Sequence, residues 1–367
     1  MLTEATSAAV ARRLRANILN GVWKPGDRLP TRVELEDHFQ VSTATVQKAV
    51  SRLATDGFVN ARGRLGTFVT DSPPHLTRIG IVFHTLVQIH ESRFHRALQS
   101  AAIELESNGR TRLVSYSNVD AATRTPSYRK LIADIEDHRL AGVILLTDGQ
   151  DARRRFESLN LWDGRVKLVF FGRDAVPGAT GLTIEPAAER VLHDLAGRGR
   201  RRLAVLHAAF APAIGLSPIM SQWLATAQQL GIEARPEWFF PVHPYTPQAA
   251  ASITRLLMSL PENQRPDALV VTDDHLVEEA TRGVRDSGVV AGKDVLVYVH
   301  CNFPWPPPSL VEVRRYGFDA RRLLRAAVDV IEQELDGQPP PAVVTLPMLF
   351  EEDVMASQSG EHPNTSL

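Results

Sequence analysis

The sequence predicts an α+β head over residues 1–70 joined to an α/β body with parallel sheets, and three observations carry that reading. Up to residue 70, apolar residues recur at helical spacing and are followed by two short alternating runs around a Gly-rich tip. After the Pro-rich break "VTDSPPHLT" the pattern changes to short Val, Ile and Leu runs alternating with amphipathic stretches, as parallel strands buried on both faces require. The remaining chain is too long for one comfortable sheet, so it should divide into two lobes. The expected organisation is a head at 1–70, a hinge at 71–77, a two-lobed body at 78–350 and a disordered tail at 351–367.

In the head, Val10, Leu14 and Ile18 stand at i, i+4, i+8 with arginines between them, which gives one amphipathic helix near residues 5 to 20. "WKPGDRLPT" ends it. Lys24-Pro25-Gly26-Asp27 forms a turn, and Thr31 with Glu34 three residues on forms a capping box that starts a second helix carrying Leu35 and Phe39 inward. Val41 closes the next turn. A third helix turns Val46, Ala49, Val50 and Leu53 to the core and leaves Ala44, Gln47, Lys48 and Ser51 outside. "GFVNARGRLGTFVT" reads as strand, tip, strand with Arg62 and Arg64 at the tip, and three helices with such a wing make a winged helix-turn-helix.

The outer face of the third helix carries the groups that read base edges. Gln47 can pair bidentately with adenine, and the Ala44 methyl can touch a thymine methyl. Thr43, Thr45, Lys48 and Arg52 are placed for phosphates, and the basic wing for a minor groove or backbone. A solvated helix face uses the same residue types, so the wing decides between the two readings. Charge agrees: residues 1–76 hold ten Lys/Arg against seven Asp/Glu, about +3, although the whole chain is at -1. The segment "ILNGVWKPGDRLPTRVELEDHFQVSTATVQKAVSRLATDGFVNARGRLGTFV" closely resembles the GntR family of DNA-binding regulators. Members commonly carry arginine at the positions of Val33, Thr43 and Gln47, so the departures here imply a different operator, with Arg32 standing in for the first.

In the body, "RIGIVFH", "RLVSY", "AGVILLT", "VKLVFFG", "RRLAVLHA", "DALVVTDD" and "KDVLVYVH" read as strands. "RFHRALQSAAIELESNG", "EPAAERVLHDLAGRG", "SQWLATAQQLG" and "HLVEEATRGVRDSG" read as helices ended by glycine. "PDALVVTDDHLVEEATRGVRDSGVVAGKDVLVYV" and "VRRYGFDARRLLRAAVDVIEQELDGQPPPAVVTLPMLF" resemble the LacI/GalR regulators and the type I periplasmic-binding-protein-like fold. A GntR head on such a body is the arrangement of the arabinose-repressor branch. The resemblance implies a small molecule bound between the lobes, at the carboxyl ends of the strands. The family's effector-binding arginine falls on Ile219 and one aspartate on Cys301, while Asp274 keeps its place, which favours a sugar derivative over an ordinary free sugar. Thr85, His207, Trp223, Asp273, Asp274, His300, Asn302 and Trp305 stand at or beyond predicted strand ends as candidate effector contacts. Each is equally a rim or packing residue; Trp305, in "NFPWPPPSL", fits a stiffened crossover between lobes.

Other classes find no support in the residues. A single cysteine, Cys301, excludes an intramolecular disulfide and a thiolate zinc cluster, and His300 beside it points to the opposite face of a strand. No apolar run approaches the length that spans a bilayer and the N-terminus lacks a signal-peptide core, so a cytoplasmic protein is expected. The G-x-x-x-x-G-K-[ST], G-x-S-x-G and H-E-x-x-H patterns do not occur, and the body is too short for the aminotransferase that some GntR proteins carry. The expectation is a homodimeric, non-enzymatic repressor on an inverted-repeat operator, controlled by a small metabolite, with no cofactor or metal. A ligand-blind architectural DNA binder is the alternative, and an enzyme with a regulatory head a third reading.

Overall fold

The computed structural model describes residues 2–83, 93–109, 111–146, 154, 157, 159, 161, 165–172, 176–209 and 215–359. The head begins with α1 (Leu2–Leu19), α2 (Arg32–Phe39) and α3 (Thr43–Thr55), followed by β1 (Val59–Ala61) and β2 (Thr67–Val69). The capping box forms as expected: the Glu34 carboxylate accepts from the Thr31 amide at 2.7 Å while the Thr31 hydroxyl accepts from the Glu34 amide at 3.4 Å. Val10, Leu14, Ile18, Leu35, Val46, Ala49 and Leu53 close one core with Phe58. Val50 is only half-buried, and Thr45 takes the inner place at the start of α3. The "GDRL" segment, read as a turn, also pairs with the wing: Leu29 donates to the Thr67 carbonyl at 2.9 Å and Val69 to that of Asp27 at 2.8 Å. Gly66 at the tip has φ +112, a backbone angle that favours glycine.

Two compact units divide the chain, one gathering residues 1–89, 102–183 and 325–344 and the other 90–101, 184–324 and 345–367. The first therefore includes the head. Its six-stranded sheet has the order β13-β7-β6-β5-β3-β4, from β3 (Arg78–Phe83), β4 (Arg112–Tyr116), β5 (Gly142–Leu146), β6 (Lys167–Phe171), β7 (Thr180–Ile184) and β13 (Val343–Leu346). Val82, Leu131, Val143 and Phe170 lie in its core, with helix α6 (Pro126–Glu136) contributing Leu131. The second unit has the order β14-β12-β11-β10-β8-β9, from β8 (Arg202–Ala208), β9 (Glu233–Val242), β10 (Ala268–Val271), β11 (Leu296–Phe303), β12 (Arg314–Asp319) and β14 (Leu349–Phe350). Its neighbours pair in parallel except β12 with β14. Apolar clusters around Leu203, Val205 and Val270 and around Ala204, Leu269 and Val271 cover its two faces, as alternation along a doubly buried strand dictates.

The expected strands all form, and others join them. β9 carries Pro236 and Pro241 and is an edge strand, where a missing amide is tolerated; those prolines hid it in the sequence. Two expectations require correction. The hinge is not a free linker: Pro74–Thr77 forms one helical turn, and Pro73 and Pro74 are buried. The segment from 351 is not a disordered tail over its described part but a helix, Glu351–Ser359. Three acids fill its first turn, where the helix dipole favours them, and Arg315 pairs with Glu351 at 3.1 Å and Arg190 with Asp353 at 2.6 Å.

Candidate nucleic-acid interface and effector site

On α3, Thr43, Ala44, Gln47, Lys48 and Ser51 are exposed, as is Arg32 at the start of α2. Nothing ties the Gln47 amide to the core, since its Nε2 donates only a long 3.4 Å bond to Ser51 along the helix. Arg64 is exposed at the wing tip, and Arg62 lies over the Phe68 ring at 4.8 Å with Asp71 at 3.7 Å. Thr45 must leave the phosphate set: it is 3% exposed and its hydroxyl bonds the Ser42 cap at 3.0 Å. It sits one residue before Val46 on the core side of the helix. Arg52 is half exposed and already pairs with Asp137 at 3.5 Å, a contact the sequence did not foreshadow.

In the second unit the strand register gathers the other candidates. β10 ends at Val271 beside Leu206 and Val299, so His207 on β8, the turn Asp273–Asp274 after β10, and His300 and Asn302 on β11 all arrive at the carboxyl end of one sheet. Asp274 is 5% exposed; Asn302 donates to its Oδ2 at 2.7 Å, and His275 Nδ1 lies 3.1 Å from its Oδ1 and 2.9 Å from Asp273 Oδ1. Bonds from Asp273 and Asp274 raise the His275 pKa to about 10, so this ring is protonated. Burial works against ionisation of Asp274, but His275, His300 and Asn302 outweigh it and hold the carboxyl below its usual range. Burial lowers the pKa of His207, and that of His300 despite the nearby Asp274 and Asp273. His300 faces the Tyr316 and Phe318 rings at 5.9 and 5.8 Å, while Cys301 packs with Phe303, Leu349 and Val354; strand alternation separates the pair as expected. Burial also pushes the Cys301 thiol well above its ordinary pKa, which removes its nucleophilicity.

Two candidates are misplaced. Trp223, on helix α8 (Pro218–Gln229), is 3% exposed and packs 6.3 Å from Tyr316 in the core, with no ring face left for a ligand. It also shares the unit of Asp274 and so cannot face it from the other lobe. Trp305 does not stiffen a crossover between lobes: it and the prolines after it stay within the second unit, its amide closing a turn onto the Asn302 carbonyl at 2.9 Å. It is half exposed. Thr85 lies outside the described residues. Sequence reasoning missed His275, although "DDH" puts it beside two carboxylates, and the Asp319–Arg321 pair at the end of β12, 2.7 Å apart. Donor atoms of Asp273, Asp274 and His275 lie within 4.8 Å of one another, close enough for a cation to replace the shared proton. Helix α10 (Val277–Asp286) starts just after them, and its positive end favours the carboxylates and opposes a cation.

The head's elements, in order and spacing, match those of a known family. Residues 6–69 match the bacterial regulatory proteins of the gntR family. The head is a gntR-family DNA-binding domain. YieP, an HTH-type transcriptional regulator of Escherichia coli, is 41% identical over 63 residues, 17% of this chain and 27% of its own length. The histidine utilization repressor of Klebsiella aerogenes is 34% identical over 62 residues, 17% of this chain and 26% of its own length. The chain thus spans about a quarter of the length of these relatives. The body adopts the fold of LacI-family regulators: a structure of one from Arthrobacter in complex with lactose covers 75% of this chain and 97% of its own at TM-score 0.59 and 17% identity. Among the described residues no helix is long and apolar enough to cross a membrane.

Proposed function

We propose that the protein is a dimeric transcriptional repressor that binds an inverted-repeat operator through its gntR-type head and releases or tightens it when a small polar metabolite occupies the second unit. The observation that carries the DNA half is the match of the head together with the exposed Ala44, Gln47 and Lys48 on α3. Thr43, Lys48, Arg62 and Arg64 supply the backbone contacts, and Arg32 stands in for an arginine that reads a base. The sensing half rests on Asp274, buried but ionised at the carboxyl end of a parallel sheet, with Asn302, His207, His300 and Asp273 around it. Such a carboxylate can accept hydroxyl or amine donors of a ligand through charge-assisted bonds. The LacI-type neighbour complexed with lactose supports a ligand of sugar-like polarity.

Selection of binding sites from random duplexes, repeated with candidate metabolites, tests both halves. Gln47→Ala is expected to cost about 1–3 kcal/mol and to relax preference at one base position, and Lys48→Ala to weaken all sequences alike and lower the salt slope by about 1. Equal losses on every sequence for Gln47→Ala would remove it from base reading. Asp274→Ala is expected to abolish the ligand-induced rise in melting temperature and leave operator binding intact. A full ligand response in that variant places the effector elsewhere; a wild type that answers no metabolite returns the protein to a ligand-blind architectural role.

A further inference from the structure

The first unit holds a charged cluster that neither base reading nor effector binding uses. Arg15 of α1 is 3% exposed, and its fork reaches Asp56 at 2.6 Å with one nitrogen and Asp137 at 2.7 Å with the other. Asp56 caps the carboxyl end of α3, the helix that carries Gln47, whereas Asp137 caps α6 in the body. Arg139, on the turn after α6, completes a ring by pairing with Asp56 at 2.9 Å and Asp137 at 3.0 Å, and holds Asp134 at 3.0 Å. Tyr116 of β4 donates to Asp134 at 2.5 Å, which carries the network into the sheet. Burial opposes ionisation of Asp137, yet Arg15, Arg139 and Arg52 keep its carboxyl below the ordinary range. Beside the ring, Phe58 of the head has the Arg15 guanidinium over it at 5.3 Å and stacks on His75 of the connecting turn at 5.7 Å.

We propose that Arg15, Asp56, Asp137 and Arg139 interlock the DNA-binding head with the body, so that the recognition helix is aimed by the first unit's sheet and not carried on a free tether. Each arginine bridges a head carboxylate and a body carboxylate, so separating the two sides breaks the Arg15–Asp137 and Arg139–Asp56 pairs together. Arginine fits this role, because its fork spans two carboxylates at once and it stays ionised at any physiological pH. The four residues are positioning residues: they touch no base, and they decide where Gln47 and Lys48 point. A head held in this way accepts only half-sites at one spacing and phase, and any rearrangement of the α6 to β5 turn is transmitted to α3. The buried Pro73 and Pro74 and the stacked His75 are consistent with a connection that is packed down.

Spin-label distance measurement on the full-length protein tests this. Cys301 is buried, so labels on cysteines introduced at the exposed Asp37 of the head and the exposed Glu104 of the body report that one distance, with unlabelled protein added to dilute pairs between subunits. The wild type is expected to give one narrow distribution. Asp137→Asn, which is isosteric, with Arg139→Gln, which removes the guanidinium, changes the body alone, leaves Arg15–Asp56 within the head and is expected to broaden it. Proteolysis within residues 71–77 should then accelerate by about tenfold or more, since cleavage follows the population of the open form. Operators with one to four base pairs inserted between half-sites should also lose less affinity in that variant than in the wild type. If the double variant does not fold, Asp137→Asn alone is measured, and partial broadening is expected. A broad wild-type distribution, or a variant as narrow as the wild type with unchanged spacing preference, overturns the proposal.

Discussion

The arginine cluster at Asp56 and Asp137 and the histidine cluster at Asp273 and Asp274 both set two carboxylates beside nitrogen donors, yet they answer to different demands. In the first, all four carboxylate oxygens meet guanidinium nitrogens at 2.6 to 3.0 Å, from two arginines that cannot lose their protons. In the second, one histidine is shared between two carboxylates, and Asp273 and His275 remain partly open to solvent. The first cluster suits a joint, where charge must not change. The second suits a site that exchanges partners, since a proton or a ligand donor can occupy the same oxygens. Burial of a carboxylate alone therefore does not reveal its role; the titratability of its partner does.

Breaking the joint should have the largest consequence. Arg15→Ala leaves the buried Asp56 and the half-buried Asp137 with Arg139 as the one arginine between them, and a loss of about 3–5 kcal/mol in denaturant unfolding is expected. A loss below about 1 kcal/mol would mean that the cluster is solvated and behaves as a surface network. The histidine cluster should yield less: His275→Gln removes a charge-assisted bond and is expected to cost about 1.5–3 kcal/mol near pH 7.

The pH profile sharpens the contrast. His275 is raised from 6.5 to about 10 in the folded protein, so its contribution is complete below 6.5 and is lost as pH rises toward 10. The alkaline limb of the stability curve should accordingly flatten in His275→Gln, and an unchanged limb would separate that decline from this residue. At the joint the sign reverses. His75 is lowered to about 4, first by burial and then by His138, so the unfolded chain binds the proton first and stability falls as pH drops from 6.5 toward 4. His75→Phe, which keeps the stack on Phe58, should reduce that acid loss. The smallest effect is expected at Lys130, whose ammonium is largely exposed while its partner Asp134, 2.9 Å away, keeps Tyr116 and Arg139: Lys130→Ala should change stability by less than about 1 kcal/mol.

Helices and strands with a clean period were legible without the fold. The capping box at Thr31 and Glu34, the stripe Val46, Ala49, Leu53 and the Gly-rich wing are local features, and each formed. Asp274, His300 and Asn302 were legible as strand-end residues because parallel strands deliver their carboxyl ends to one edge. Trp223 misled because a tryptophan near a strand end looks the same whether it faces a ligand or Tyr316. Thr45 misled because it stands beside the core stripe, and its hydroxyl turns back to the Ser42 cap as the side chain is buried.

By itself the sequence determined the class of each segment, since propensity, capping and hydrophobic period act over a few residues and are written in order along the chain. It also determined that the head is basic and that Asp274 lies just beyond a buried strand. Only the tertiary structure decided that Arg15, Asp56, Asp137 and Arg139 meet, because the bonded pair Arg15–Asp137 lies 122 residues apart and each is an ordinary charged residue in its own neighbourhood. Charge pairing depends on distance through space, and a chain folded into parallel sheets brings together residues whose separation along the sequence carries no trace of it.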